Sequence, residues 1–533
     1  MSSIQLTATP PGQRATLDPE LQALRKPLAE LVHTLEAQEG WYGSVFLERR
    51  ASTNFSANLK QTNVSDRVSQ GVVLRIYDGY TLFEQATDDL ELESLKQTAL
   101  KLVQRVRGNK PGSGVQFRPY HPPSWEERRA QKLDPEITSQ IPANVNALTP
   151  VHFGIRFQKT PKVSASETLD RLKHLVLKCL ELAPKHGLKS EDVTFAMARQ
   201  GFSQEESIFI DREVNISQSL YRIALTVITM SGAERTVSRI GGLGGLEAVE
   251  FSDADIGKLL EDLKSLKTAE RLNPGKYRVL LSPVLTGVLA HEAFGHSQEG
   301  DTCARGRSRA WELHKIEEKV GNQHATILNN PAIFQNGTED FAAWGSYFFD
   351  EEGWFAQEQV LLDEGTLKSP MTNLTSAIRL GVPRTANGKR ESWASGVYTR
   401  QTNTYFSPGH NTYDELLAQI DDGFIATEAA GGMEDPKGMG IQVGIQFLKE
   451  VKNGKLTGRT FKGPAGGDIQ MTGYVPDVLK SILGKSKIES TSERPDRARH
   501  PFNDAGGCGK YHKEFVYAGC GGTYVLLDQV ILG

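Results

Sequence analysis

The spacing of apolar residues predicts a helix, two strands and a second helix in the N-terminal part of the chain. Pro27 is expected to kink the first helix, where leucines recur at the three- and four-residue steps of one helical face: Leu21, Leu24, Leu28, Leu31 and Leu35. Runs rich in β-branched and aromatic residues, from Tyr42 and from Gly71, predict the strands. The second helix covers residues 92–106 and is expected to end at Gly108, a natural C′ glycine.

A proline-rich polar stretch, residues 107–150, separates this pattern from a similar one. Its composition indicates a linker or an extended excursion over the surface. Beyond it, leucine spacing predicts a helix over residues 169–182 that ends at Gly187, and strand-like runs follow. Helix followed by strands thus occurs twice, which raises the hypothesis of an internal duplication. A further short helix, residues 256–266, closes this half.

The second half of the chain is richer in glycine and in strand patterns. A strand, residues 276–282, leads into a helix. Two later hairpins are predicted at Glu364-Gly365 and Asn453-Gly454, because such pairs favour two-residue turns. The glycine-rich segment at Gly241 is not a dinucleotide fingerprint, because the third glycine is missing and no helix pattern follows directly.

The length of the chain, 533 residues, exceeds what one hydrophobic core usually organises, so at least two domains are expected. We predict the α+β class, with an N-terminal helix-and-sheet half, residues 1–270. A β-rich C-terminal catalytic domain, residues 271–533, follows with antiparallel hairpins and a helix that carries a histidine motif. The formal net charge is −4 and the sequence has no basic run, so a nucleic-acid partner is not expected.

Composition also predicts the subcellular location. The N-terminal segment, residues 1–20, is polar and contains Pro10, Pro11 and Pro19. No basic segment precedes an apolar one there, so a secretory signal is not expected. No apolar stretch approaches the ~18 residues of a membrane span, so no membrane partner is expected. Four cysteines do not make a disulfide framework in so long a chain. A reducing compartment, the cytoplasm, is therefore predicted, where a thiol is available as a metal ligand.

The strongest chemical signal is the segment HEAFGH, residues 291–296, at the end of the predicted motif helix. Ser282 can cap that helix and Pro283 suits its first position. Neutral imidazoles are good zinc ligands, and a carboxylate beside the first one is placed to take a proton from a zinc-bound water. His291 and His296 are therefore candidate ligands, and Glu292 is the candidate catalytic base.

The five-residue spacing of the two histidines is unusual for a helix. At about 100° per residue, they would point about 140° apart on a regular helix. Both can reach one metal only if the helix ends or bulges between them. Gly295 stands where this distortion is needed, because glycine tolerates non-helical dihedrals and π-bulges occur at functional sites. The sequence therefore predicts irregular backbone at Gly295.

The residues leave the third ligand open, although a catalytic zinc usually takes three protein ligands. Glu299 and Asp301 are close in sequence but could equally support the histidines from outside the coordination sphere. Cys303 and Cys508 are the other candidates. Cys508 lies in a glycine-rich loop that can approach another element, with Lys510 to lower the thiol pKa. A cysteine in such a loop is more often structural than a ligand.

Several separated segments resemble the TldD subunit of the TldD/TldE (PmbA) metallopeptidase family. They follow the family's order through the second half of the chain: LAHEAFGHSQEGD at Leu289, GSYFFDEEG at Gly345, TANGKRES at Thr385, QTNTYFSPG at Gln401, NGKLTG at Asn453 and GGCGK at Gly506. The first half fits only in its general helix-and-strand pattern. The resemblance implies zinc bound by His291, His296 and Cys508, with Glu292 as general base.

The resemblance further implies a cytoplasmic zinc metalloprotease that cleaves unfolded or extended peptides, in peptide maturation or degradation. Family members work with a TldE/PmbA-like partner that lacks the motif, as a heterodimer, or pair with themselves as a homodimer. Because its motif is complete, this chain resembles the catalytic, TldD-like subunit. Two departures stand out: the proline-rich stretch makes the chain longer than expected, and Cys520, in a second glycine-rich turn, could compete with Cys508.

The predicted reaction is hydrolysis of a peptide bond by a zinc-bound water, with Glu292 passing the proton to the leaving amine. Arg390, Tyr405 and His410 are candidate oxyanion stabilisers only because they lie in matching segments, and each is more often structural. The β-rich half could hold a peptide as an added strand. The alternatives are a zinc amidase or deacylase acting on small molecules, and a non-catalytic, zinc-stabilised peptide-binding subunit, which Glu292 argues against.

Overall fold

The computed structural model of the chain describes residues 13–112, 115–336, 341–435, 437–488, 504–510 and 513–533. Residues 1–12, which are part of the N-terminal segment behind the expectation of no secretory signal, lie outside the described residues. Among the described residues, no helix combines the length and the apolar character that crossing a membrane requires. The elements define the α+β class, with a β-rich C-terminal part, as predicted.

The N-terminal half contains helix, antiparallel strands and helix twice over. Its elements are β1 Gln13–Arg14, α1 Pro19–Leu35, β2 Tyr42–Asn58, β3 Thr62–Tyr77, β4 Leu82–Thr87, α2 Leu92–Arg107, α3 Trp125–Arg129, α4 Pro135–Thr138, β5 Pro150–Gly154, β6 Arg156–Phe157, α5 Ala165–Leu182, β7 Phe195–Ile210, β8 Asn215–Ser231, β9 Glu234–Leu243 and α6 Asp253–Lys267. One sheet has the order β4-β3-β2-β7-β8-β5, with β9 also paired to β8. The succession α1, β2–β4, α2 is repeated as α5, β7–β9, α6, which agrees with the duplication hypothesis.

Both faces of this sheet are covered, because successive residues of a strand point to opposite faces. On β2, Val45 and Leu47 join the core under α1 and α2, whereas Phe46 joins the core under α5 and α6. The second core also contains aromatic residues from the C-terminal half: Tyr347, Phe348, Phe349 and Phe355. Packing therefore crosses residue 270, and the domain boundary there stays a prediction.

The described part of the proline-rich stretch, residues 107–112 and 115–150, lies against the N-terminal half. It contains α3 and α4, and it buries Trp125 and Ile137 in the core under α5 and α6. The described residues of this stretch therefore contribute to that core, and the domain division around them stays a prediction. Gly108 differs from expectation, since its φ of −78° is right-handed and the chain leaves α2 without a left-handed turn. Gly187, by contrast, has a φ of 75° at the end of its helix.

The C-terminal half is built from two larger sheets and short helices. Its elements are β10 Glu270–Arg271, β11 Gly275–Leu281, α7 Pro283–Ala290, α8 Gly300–Ala304, α9 Arg309–Leu313, β12 Ile327–Asn329, β13 Gln359–Asp363, β14 Thr366–Leu367, α10 Leu374–Leu380, β15 Gly388–Lys389, β16 Tyr398–Thr399, β17 Thr404–Phe406, α11 Tyr413–Ala418, β18 Asp422–Ala426, β19 Ala429–Asp435, β20 Gly440–Ile445, β21 Leu448–Lys452, β22 Lys455–Lys462, β23 Ile469–Tyr474, α12 Val475–Lys480, β24 Ile482–Lys485, β25 Asp504–Lys510, β26 Lys513–Gly521 and β27 Val525–Leu532. A ten-stranded sheet has the order β10-β22-β21-β18-β11-β27-β23-β20-β19, with β24 on β27. A six-stranded sheet has the order β14-β13-β12-β17-β26-β25.

Both predicted hairpin turns are confirmed. They join β13 to β14 and β21 to β22. The central residues have φ angles of 46° at Glu364 and 80° at Gly365, and of 49° at Asn453 and 70° at Gly454. Positive φ at both central positions is what a type I′ turn requires, and asparagine and glycine tolerate it best.

The motif helix α7 lies between the two C-terminal sheets. It follows β11, a strand in the interior of the ten-stranded sheet, and contacts β19 and β20 of that sheet. On its other side it contacts β17 and β26 of the six-stranded sheet. Leu285 and Leu289 are buried in the core between these layers. The histidine motif, which follows α7 directly, therefore begins between the two sheets.

A buried ion cluster joins the two halves of the chain around Glu352. Its Oε1 accepts a hydrogen bond from Arg75 of β3 at 2.5 Å, and its Oε2 lies 3.4 Å from Arg384 Nη2. The backbone N–H of Leu374 also donates to Oε2 at 2.6 Å. Burial raises the pKa of the Glu352 carboxyl, but the two guanidinium groups outweigh burial and hold that pKa below its ordinary value.

Replacing Glu352 with Gln should lower the stability of the chain, because two buried guanidinium groups lose their carboxylate. Removing one partner of a buried ion pair costs roughly 3–5 kcal/mol. Urea unfolding followed by tryptophan fluorescence measures the change. Glu270→Gln is the matched control, since Glu270 pairs with Arg459 at the surface at 2.7 Å. Equal unfolding midpoints for the two variants would contradict a stabilising role for the buried cluster.

Candidate metal centre

The histidine motif is delivered by the junction of β11 and α7. Ser282 is the N-cap residue and Pro283 the first helical residue, as predicted. The Ser282 hydroxyl, however, does not cap the helix and donates to the carbonyl of Thr427 instead. The backbone N–H of Ser282 donates to the Ala426 carbonyl at 3.0 Å, which extends the pairing of β11 with β18 to the helix start. The sheet, more than a side-chain cap, therefore fixes where α7 begins.

The motif itself forms a π-helical turn over His291–Gly295, in which the N–H of His296 donates to the carbonyl of His291. A short 3₁₀ turn, His296–Gln298, follows. The wider turn brings the two imidazoles to one side, with ring centroids 4.8 Å apart and planes at 89°. The predicted irregular backbone is confirmed. Gly295 has an ordinary φ of −66°, so its lack of a side chain matters for a different reason: a Cβ there would lie 2.1 Å from Gln401 Oε1.

Cys508 reaches this turn from β25, far along the chain. β25 pairs with β26, and β26 pairs in parallel with β17 of the same sheet. The Cys508 Sγ lies 3.4 Å from His296 Nε2. One donor atom from each of His291, His296 and Cys508 lies within 4.8 Å of the other two, and all three residues are buried. The structure thus brings the two motif histidines and the distant cysteine together.

The spacing and chemistry of these donors fit a tetrahedral zinc ion. With Zn–S near 2.3 Å and Zn–N near 2.05 Å, a sulfur and a nitrogen ligand stand about 3.5 Å apart. Burial raises the pKa of the Cys508 thiol, but His296 and His291 beside it reverse that effect and hold the pKa well below its usual value. A thiolate with two imidazoles is a donor set that suits zinc. The side chain of Lys510, expected to contribute to this pKa, lies outside the described residues.

Glu299 supports His296 from the opposite side of its ring. Its Oε1 lies 3.5 Å from His296 Nδ1, whereas Nε2 of the same ring faces the Cys508 sulfur. A carboxylate at the second ring nitrogen orients an imidazole ligand. Cys303 lies with its Sγ 3.5 Å from the Ser297 carbonyl. In the part of the chain that the structure describes, the three-donor cluster includes neither of these residues, nor Asp301 or Cys520.

The three candidate oxyanion stabilisers have contacts that favour structural roles. The Arg390 guanidinium pairs with Glu84 of β4 and donates to the Ser395 carbonyl at 2.6 Å. The Tyr405 hydroxyl lies 3.4 Å from a carboxylate oxygen of Glu358. His410 is exposed. These residues lie in segments that match the family. None of their described contacts, however, joins them to the His291, His296 and Cys508 cluster.

Glu292, the candidate base, lies between the histidines and the edge of the ten-stranded sheet. Its side chain is buried, and Oε2 lies 3.9 Å from His296 Nε2. On its other side is Gly432 of β19, where a Cβ would lie 2.7 Å from Glu292 Cγ. Sequence reasoning missed Gly432, as well as Gln401, which contacts the motif, and Arg400, which contacts Cys508 and Glu299. Gln401 opens one of the matching segments, and that was the one signal available.

A buried His-His-Cys cluster with a carboxylate alongside is the type of centre that metal-dependent hydrolases use. Residues 274–529 match the family model described as the PmbA/TldA metallopeptidase C-terminal domain. The C-terminal part of this chain therefore belongs to the PmbA/TldD metallopeptidase family. The predicted family is confirmed.

Relatives agree with this assignment. A protein of Methanothermobacter thermautotrophicus named metalloprotease is 29% identical over 290 residues, which is 53% of this chain and 60% of that protein. The Saccharolobus solfataricus protein named zinc metalloprotease TldD homolog is 26% identical over 59% of this chain and 68% of its own length. The chain thus spans less than two thirds of the first of these relatives. The crystal structure of TldE from Thermococcus kodakarensis shares the fold, with a TM-score of 0.66 at 14% identity, over 95% of this chain and 100% of that one.

Replacing Cys508 with Ser should weaken zinc binding by more than the 10–100-fold that loss of an outer hydrogen bond costs. A serine hydroxyl is a poor substitute for a thiolate donor. Competition with a chromophoric chelator measures the affinity, and circular dichroism checks the fold. Cys303→Ser is the matched control, because Cys303 is equally buried and its thiol lies 3.5 Å from the Ser297 carbonyl. Unaltered affinity in Cys508→Ser would redirect attention to Glu299 or Cys520 as the third ligand.

Proposed function

We propose that this protein is a zinc metallopeptidase that cleaves unfolded or extended peptides, with His291, His296 and Cys508 as ligands and Glu292 as base. One observation carries the proposal: donor atoms from segments 212 residues apart lie within 4.8 Å of one another beside a buried carboxylate. A purely structural zinc site has no use for a free carboxylate at its border. The names of the relatives, metalloprotease and zinc metalloprotease TldD homolog, support the same chemistry.

Glu292 is placed to move protons during the reaction. Its Oε2 lies 3.9 Å from His296 Nε2 and so borders the point where the three donors converge. A bound zinc supplies a Lewis acid that polarises the scissile carbonyl and lowers the pKa of a water. Glu292 takes the proton from the attacking water and passes it to the leaving amine. The burial of Glu292 keeps bulk water from competing for this proton.

The substrate is proposed to lie along β19. In the described part of the chain, β19 forms one edge of the ten-stranded sheet, and most of its residues are exposed. Because Gly432 of β19 packs against Glu292, this edge runs beside the base. An extended peptide adds to a sheet edge through backbone hydrogen bonds, so side-chain identity matters less. Such binding favours unfolded peptides over folded proteins and over small amides.

The chain is further proposed to work as a dimer in the cytoplasm, with a TldE/PmbA-like partner or with a second copy of itself. The fold that it shares with TldE from Thermococcus kodakarensis supports a partner of this kind. All four cysteines are free, as expected for a protein of a reducing compartment.

Replacing Glu292 with Gln should lower the rate of peptide cleavage by about 10²–10⁴-fold and leave zinc content unchanged. Glutamine keeps the shape of the side chain but cannot accept the proton, and general acid–base catalysis contributes about 10²–10⁴-fold. Metal analysis measures zinc, and mass spectrometry of an unstructured peptide measures turnover. Full zinc content with undiminished cleavage would show that Glu292 is not the base. Turnover of small amides without turnover of peptides would favour the amidase or deacylase alternative.

Replacing Gly432 with Ala should lower kcat while leaving zinc affinity intact. The added Cβ would lie 2.6 Å from Val288 Cγ1 and 3.0 Å from Glu292 Oε1, so the carboxylate must shift. A displacement of about 1 Å can cost about 100-fold in rate. Gly440→Ala on β20 is the matched control, because its nearest neighbour lies 3.7 Å from the added Cβ. Equal kcat values for the two variants would count against a role of β19 in placing the base.

A further inference from the structure

Two consecutive residues, Arg400 and Gln401, contact both segments that carry the three proposed ligands. Both are fully buried, with 1% and 0% of their surface exposed. They follow β16, and the Arg400 backbone is fixed by two hydrogen bonds with Asn387, from N–H to O at 2.9 Å and from Asn387 Nδ2 to Arg400 O at 2.9 Å. The backbone of the dipeptide is thus fixed by Asn387, a residue outside the histidine motif.

Gln401 holds the π-helical turn. Its Nε2 donates to the His291 carbonyl at 3.2 Å, the same carbonyl that accepts the N–H of His296. Thr404 Oγ1 donates to the Gln401 Oε1 at 2.9 Å, which fixes the amide with its donor toward the turn. The absence of a side chain at Gly295 is what admits this amide. Gln401 therefore stabilises the turn that sets the spacing of the two histidines.

Arg400 connects the cysteine strand with the histidine side. Its Nη2 donates to the Cys508 carbonyl at 2.7 Å. Its Nε lies 3.6 Å from Glu299 Oε1, and the same carboxylate oxygen lies 3.5 Å from His296 Nδ1. One planar guanidinium thus spans the backbone of one ligand and the carboxylate behind another. A lysine ammonium is a point donor and cannot reproduce this fork.

We propose that Arg400 and Gln401 form a positioning unit that sets the spacing of His291, His296 and Cys508 for the metal. The inference rests on the metal site of the proposed function, and it adds the residues that hold the site in shape. Ligands that come from segments 212 residues apart need such support, because a site misplaced by about 1 Å binds poorly. Outer groups that orient ligands contribute about 10–100-fold to metal affinity.

The test compares zinc affinity in Arg400→Lys and Gln401→Glu with that of the unchanged chain. Arg400→Lys keeps the charge but loses the fork, and Gln401→Glu keeps the shape but turns a carboxylate oxygen toward the His291 carbonyl. Each variant should bind zinc about 10–100-fold more weakly in chelator competition. The cobalt(II)-loaded variants should also shift the thiolate charge-transfer band, a signature that loss of stability alone does not move.

Arg25→Lys is the matched control for a buried arginine. Arg25 is 2% exposed, donates to the carbonyls of Val151 and Asn215 at 3.1 and 2.5 Å, and lies in the N-terminal half. It should lower stability without changing zinc affinity or the cobalt spectrum. Arg400→Lys and Gln401→Glu chains that bind zinc as tightly as Arg25→Lys would overturn the inference. A chain that binds zinc but cleaves no peptide would count against the peptidase and leave the positioning unit standing.

Discussion

The hydrogen bond from the His296 N–H to the His291 carbonyl is the constraint on which the rest of the centre depends. In a regular α-helix that N–H would bind the carbonyl four residues back, and the two imidazoles would diverge by about 140°. The wider turn removes this divergence and lets both rings face one point. Turns of this kind are rare and cluster at functional sites.

Two sheets hold the turn and contribute different chemistry to it. The six-stranded sheet brings Cys508 on β25, which pairs with β26, and β26 in turn pairs with β17, the strand that follows Gln401. The ten-stranded sheet brings its edge strand β19 against Glu292. The proposed ligand and the proposed base thus receive their support from opposite layers. In the proposed function, a substrate strand added at β19 approaches Glu292 without disturbing Cys508.

The sequence predicted the local features of this arrangement well. Both type I′ turns and the irregular backbone at Gly295 could be predicted, because each depends on residues within one turn of the chain. The third ligand could not be chosen from residue chemistry, and only the resemblance favoured Cys508. Whether Glu299 is a ligand or a support depends on which nitrogen of His296 it faces, and that is a matter of side-chain geometry.

Arg400 and Gly432 were missed for a related reason. The contact of Arg400 with Cys508 joins residues 108 positions apart, and hydrophobic periodicity carries no information at that range. Nothing in the sequence distinguishes Gly432 from other glycines in strands, because its role depends on its distance to Glu292. The two corrections at Ser282 and Gly108 are smaller. The Ser282 hydroxyl bonds to the Thr427 carbonyl instead of capping its own helix. The chain continues from Gly108 with a right-handed φ instead of the left-handed one that a terminal glycine favours.

The charges buried around the centre serve placement more than stability. Burial lowers the pKa of Arg400, but Cys508 and Glu299 beside it outweigh burial and raise that pKa above its ordinary value. Buried ion pairs of this kind often contribute little net stability, because desolvation offsets their attraction. What they do impose is direction, since a planar guanidinium binds its acceptors only in its own plane. Arg400 therefore has a fixed orientation, and the Cys508 strand and Glu299 take their positions from it.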